Sequence, residues 1–126
     1  MSVYLAIALG GALGAMSRYW VSTKTYVWLG TDFPFGTLMV NITGSFVMGF
    51  LALLFTQKVN LTEELKFALL VGFLGSYTTF STFALDGLQA LQNGAMMKLA
   101  MYVLLSVCGS LLGVWAGYLG ARLLIR

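Results

Sequence analysis

The chain has 126 residues, 60% of them hydrophobic and only 9% charged, with a formal net charge of +3 and a mean hydropathy of +0.90. A water-soluble domain of this length needs many more polar residues to cover its surface, so the composition excludes one and points to a single domain built for a bilayer. Long apolar runs without strict alternation argue against a β-barrel, the thinly spread charge against a nucleic-acid patch, and the absence of histidine removes the commonest proton shuttle and metal ligand.

A membrane-spanning helix takes about 20 mainly apolar residues, and four such stretches fill the chain. The first is expected over about 3–21 and carries Gly10, Gly11, Gly14 and Ala15. It reads as a span, not a removable leader, because no basic residue precedes Val3 and no recognisable mature domain follows. The second is expected over about 35–55, with Pro34 in its first turn and Asp32 as a cap. The third is expected over about 65–91. Thr62 is positioned to cap it, Glu63 and Glu64 sit at the positive end of its dipole, and Asn93-Gly94 closes it with a tight turn. The fourth, about 95–124, is longer than a bilayer needs and is expected to tilt or overhang. The single Cys108 excludes an intrachain disulfide and is expected to be a packed, inert thiol.

The third span is interrupted near its middle by Gly75-Ser76-Tyr77-Thr78-Thr79. Unwound backbone at that depth is tolerated only inside protein or facing water, and freed carbonyls at such breaks commonly coordinate a cation.

An even number of spans puts Lys58, Lys66, Arg122 and Arg126 on one side and Arg18, Lys24 and Lys98 on the other. That near-balance supplies almost no positive-inside bias. One reading is that the chain inserts both ways and pairs antiparallel about a two-fold axis in the membrane plane, which would bring the break to that axis. The other is a single orientation set by other cues. Gly10-x-x-x-Gly14 and Gly109-x-x-x-Gly113-x-x-x-Gly117 allow close helix approach, between copies or within one chain.

Among the charged residues, Arg18 and Asp86 lie within or at the edge of a span, near its end, where Arg18 can snorkel to the interface. No buried acidic residue is expected to serve as a proton site. Thr37, Asn41 and Ser45 share one face of span two, and Ser106 and Ser110 one face of span four. A membrane hydroxyl often bonds back to its own helix, whereas Asn41 must either pin two helices or face a wet pathway. Donors without carboxylates, with Arg18 at a mouth, lean toward an anion. The positive ring edges of Phe80 and Phe83 could assist, although phenylalanines in a span commonly only pack.

The chain resembles the CrcB/Fluc fluoride channels over essentially its full length. The matching segments are Gly10-Gly11-Ala12-Leu13-Gly14-Ala15 with Arg18-Tyr19; Gly36-Thr37-Leu38 with Val40-Asn41 and Gly44-Ser45-Phe46; and Gly72-Phe73-Leu74-Gly75 with Thr78-Thr79-Phe80-Ser81-Thr82-Phe83. The last is the most specific. The resemblance implies an all-α membrane protein of four transmembrane helices, assembled as a dual-topology antiparallel homodimer in the lipid bilayer of a bacterial inner membrane. It implies a channel, not an enzyme, that lets fluoride leave the cytoplasm passively and so lowers its toxic concentration. By motif position, Phe80, Phe83 and Asn41 would line the pore, with Thr37, Thr79, Thr82, Ser106 and Ser110 extending the polar track and Arg18 in the vestibule. Carbonyls of Gly75 and Thr78 would hold a structural sodium ion. Ser76-Tyr77 departs from the small-residue pattern at the break, and Asp86 stands where glutamate is expected. The competing reading, a small multidrug-type dual-topology transporter, needs a carboxylate in the first span, and none is present. A third, a structural or assembly subunit packed by its glycine faces, leaves the polar faces and the broken span unexplained.

Overall fold

The computed structural model describes residues 2–126, and all the regular structure among them is helical. The long helices are α1 (Val3–Leu29), α2 (Phe35–Gln57) and α6 (Met96–Ile125). Between α2 and α6 the chain forms α3 (Glu63–Phe67), a π-helical stretch (Ala68–Leu74), the single turn α4 (Gly75–Tyr77) and α5 (Phe80–Gln92). Three segments, Phe35–Gln57, Glu63–Gln92 and Met96–Ile125, are long and apolar enough to cross a membrane. At 27 residues α1 has the length, but Gly10, Gly11, Gly14, Ser17 and Arg18 dilute its apolar character.

Local chemistry sets the helix ends. Ser2 Oγ accepts from Leu5 N–H at 3.4 Å, and Thr62 Oγ1 from Leu65 N–H at 3.4 Å, the cap expected there. Asp32 caps nothing. Pro34 precedes α2 without a side-chain cap, its carbonyl accepting from Leu38 N–H at 3.2 Å. The turn at Gly94 (φ +69°) brings Ala95 N–H to Ala90 C=O at 2.9 Å, a left-handed closure that suits glycine. Helix α1 outruns the expected limit of Val21 because its polar residues there stay helical: Thr25 is buried and its hydroxyl donates to Val21 C=O at 2.7 Å.

Helix α2 is central. Helix α6 lies along one side, with Gly109, Gly113 and Gly117 pressed on Ile42 and Phe46 of α2. Helix α1 packs on the π-helical stretch, its Gly10 and Gly14 meeting the backbone of Ala68 and Phe73. A Cβ on Gly72 would come within 2.7 Å of Ile7 O. Both glycine series therefore pack helices of the same chain. Cys108 is exposed, contrary to expectation. The buried stripe of α6 runs through Tyr102, Ser106, Gly117 and Ala121, and a residue two places after Ser106 points away from it.

The outer surface is apolar: Leu5, Trp20, Trp28, Leu85, Leu104, Leu111 and Trp115 are all exposed. Water would not tolerate such a surface, and hydrocarbon would.

Candidate functional site

The third span breaks later than its sequence predicts. Gly75 is helical (φ −62°, ψ −32°), as are Ser76 and Tyr77. Extended backbone is confined to Thr78 (φ −80°, ψ 156°) and Thr79 (φ −151°, ψ 116°). The glycine therefore does not unwind the helix. Upstream the chain has already left α geometry in the π-helical stretch, where each turn holds extra backbone.

Asn41 holds the break in place. Its Oδ1 accepts from Thr79 N–H at 2.7 Å, and its Nδ2 donates to Thr79 C=O at 3.0 Å. One carboxamide thus satisfies both backbone groups of a buried residue, leaving the second Nδ2 hydrogen uncommitted. Thr79 in turn caps α5: its Oγ1 accepts from Thr82 N–H at 3.3 Å and donates to Thr82 Oγ1 at 3.1 Å. On the same helix α2, Thr43 Oγ1 donates to Met39 C=O at 2.7 Å and lies 2.9 Å from Tyr77 Oη, which donates to it. Tyr77, noted in the sequence only as a departure, therefore anchors the other flank of the break. Gly44 lies between these anchors, against Thr78 Cγ2 and the Tyr77 ring.

These bonds free two carbonyls. In a continuous helix Gly75 C=O would accept from Thr79 N–H, and Thr78 C=O from Thr82 N–H. The first donor is diverted to Asn41 and the second to Thr79 Oγ1. No cluster of three His, Cys, Asp or Glu side chains occurs among the described residues, so a cation at the break would rest on carbonyls such as these two, a neutral donor set that suits a small monovalent ion.

Beside the break lies a groove of about 480 Å³. Helix α2 contributes Asn41, Gly44, Ser45 and Met48, the break Thr78 and Thr79, α5 Phe80 and Phe83, and α6 Ser106, Val107, Ser110, Leu111 and Val114. Of the residues singled out in the sequence, Asn41, Thr78, Thr79, Phe80, Phe83, Ser106 and Ser110 converge here. Thr37 is buried on α2 one turn before Asn41, outside the groove wall. Thr82 is tied to Thr79, and Gly75 lies in α4. Arg18 is within α1, 11 residues short of its C-terminal Leu29, and does not line the groove.

The hydroxyls divide into two groups. Thr25, Thr43, Thr56 and Thr78 donate to carbonyls four residues back along the chain, at 2.7–3.1 Å. Among the described residues, the groove serines Ser45, Ser106 and Ser110 make no such bond, and Ser106 Oγ is buried without any partner. A buried hydroxyl without an acceptor is costly unless something else occupies that place.

The rings of Phe80 and Phe83 lie 5.4 Å apart at 47°. Phe83 continues to Tyr102 at 5.1 Å, and Tyr102 Oη donates to Asp86 Oδ2 at 2.8 Å. Asp86 is thus inside α5, six residues before its C-terminal Gln92, and bonded to α6. Nothing in the sequence pattern pairs Tyr102 with it, because the partners lie on different helices. Phe80 is 79% exposed, so the groove is open along its α5 edge.

A family model described as "CrcB-like protein, Camphor Resistance (CrcB)" matches residues 5–118. A protein of Methylococcus capsulatus named "Fluoride-specific ion channel FluC" is 55% identical over 93% of this chain, which spans about half (51%) of that longer relative. Proteins of the same name from Magnetococcus marinus and Vibrio campbellii are 50% and 44% identical, over 90% and 100% of this chain and 95% and 97% of their own length.

Proposed function

The chain belongs to the CrcB-like family, and from that premise we propose that it works as its relatives are named, as a fluoride-specific ion channel and not an enzyme. It passes fluoride out of the cytoplasm passively, driven by an inside-negative potential, and so keeps a toxic anion low. The observation that carries this reading is the set of uncommitted donors in one groove: Ser106 Oγ, without a partner, with Ser45, Ser110 and the second hydrogen of Asn41 Nδ2.

Fluoride is small and strongly hydrated, so it crosses only where protein groups replace its water. Hydroxyl and carboxamide donors do so on the α2 and α6 walls, and the positive edges of Phe80 and Phe83 do so beside the break. The absence of a carboxylate from the groove wall spares the anion a like charge.

One chain leaves the groove open, with Phe80 almost fully exposed. The assembly that completes the wall is an antiparallel homodimer in the bacterial inner membrane. The near-equal basic residues on the two sides support insertion in both orientations. In that pairing the breaks meet at the two-fold axis, where the carbonyls of Gly75 and Thr78 from each copy would hold a structural sodium ion. The ion would offset the converging carbonyl dipoles and brace the break.

Replacing Phe80 by Ile keeps bulk but removes the ring edge. Fluoride efflux from liposomes should fall sharply, and unchanged flux would refute the role of the ring. Exhaustive removal of sodium from protein dialysed in N-methylglucamine salts should also lower the flux, with recovery on readdition; equal flux throughout would count against the cation.

A further inference from the structure

A second recess, separate from the fluoride groove, lies where α2 ends and the chain turns into α3. It holds about 480 Å³, and its wall includes Phe55, Gln57, Lys58, Asn60, Lys66 and Leu70. Lys58 Nζ donates to Leu124 C=O at 3.3 Å, which ties the end of α6 to this rim. Lys66 Nζ meets Glu63 Oε1 at 3.3 Å, but Glu63 is 71% exposed and no carboxylate lines the recess. An ammonium carries three donors, so each lysine keeps donors beyond these contacts. Gln57 and Asn60 add amide donors, and Arg122 and Arg126 belong to the helix end that Lys58 touches.

The recess has two zones. Its polar groups gather at the helix ends, while Ala52, exposed, and Leu70, half-buried, lie further along the chain from those ends. We propose that it binds one anionic glycerophospholipid, the phosphate against Lys58 and Lys66 and an acyl chain along Ala52 and Leu70. Basic pockets between membrane helices suit such headgroups. A free phosphate ion would use only the upper zone, and a zwitterionic lipid would bring its own cation against the lysines.

The test is binding of phosphatidylglycerol to the purified full chain in neutral detergent, read by native mass spectrometry and by the shift in melting temperature. The wild-type chain should retain phosphatidylglycerol and gain melting temperature, and phosphatidylcholine and inorganic phosphate should do neither. In K58Q/K66Q the affinity should fall about 30-fold, roughly 1 kcal/mol per basic residue near the surface at 1.4 kcal/mol per tenfold. K98Q, at the other end of the bundle, should bind as wild type. K58R/K66R should retain binding, which separates lost charge from lost fold. Equal affinity in wild type and K58Q/K66Q, or no preference over phosphatidylcholine, overturns the proposal. The same shift with inorganic phosphate alone overturns the lipid assignment.

Discussion

At the scale of single residues, Asn41 carries the most weight, because one side chain satisfies both backbone groups of Thr79. Asn41→Ala leaves that N–H and C=O unpaired at about 1–3 kcal/mol each. The variant should melt several degrees lower in detergent and lose most fluoride flux. A variant with wild-type melting and flux would mean the break needs no pin. The sequence leaves open whether Asn41 pins or lines a path. The two roles turn out to be compatible, since one amide hydrogen remains uncommitted after both bonds to Thr79. Its partner lies 38 residues away, a distance no local pattern reports. Ser106 was legible as a polar residue on one face of span four, but its lack of a partner depends on how α6 meets α2.

At the scale of elements, glycine spacing was readable and glycine partners were not. The series in α1 and in α6 could have joined two copies. They instead join α1 to the π-helical stretch and α6 to α2 within one chain, which leaves other surfaces for assembly. A contrast between two glycines tests this packing. At Gly117 a Cβ would collide with the Phe46 carbonyl, while at Gly87 it would meet only Leu99 Cδ1 at 3.4 Å, an ordinary contact. Gly117→Ala should lose about 1–3 kcal/mol through overpacking, whereas Gly87→Ala should be neutral or gain up to about 1 kcal/mol of helix propensity. Unfolding of the two variants in denaturant or on heating decides it, and equal effects would contradict the assigned packing. The break itself was legible as polar residues in a hydrophobic run. Its position was not: glycine suggests unwinding at residue 75, but the chain stays helical until side chains from α2 compete for Thr79. The π-helical stretch leaves no mark in hydrophobic periodicity over seven residues.

At the scale of the whole molecule, composition already required a bilayer, and the structure adds an apolar exterior and an open groove with uncommitted donors. Arg18 and Asp86 were read as end-of-span charges because hydropathy falls near them. Helix α1 continues past Arg18 to Leu29, and Asp86 accepts from Tyr102 of α6, a helix length and a partner that hydropathy does not report. The central claim is that this groove conducts fluoride in preference to larger anions and without coupled proton movement. The direct measurement is anion efflux, by ion-selective electrodes, from liposomes loaded with potassium fluoride or potassium chloride and opened with valinomycin. Valinomycin should trigger rapid fluoride efflux that is unchanged when a protonophore collapses any pH gradient, with chloride efflux no faster than from protein-free liposomes. Fluoride release no faster than from protein-free liposomes, or chloride release as fast as fluoride, would contradict it.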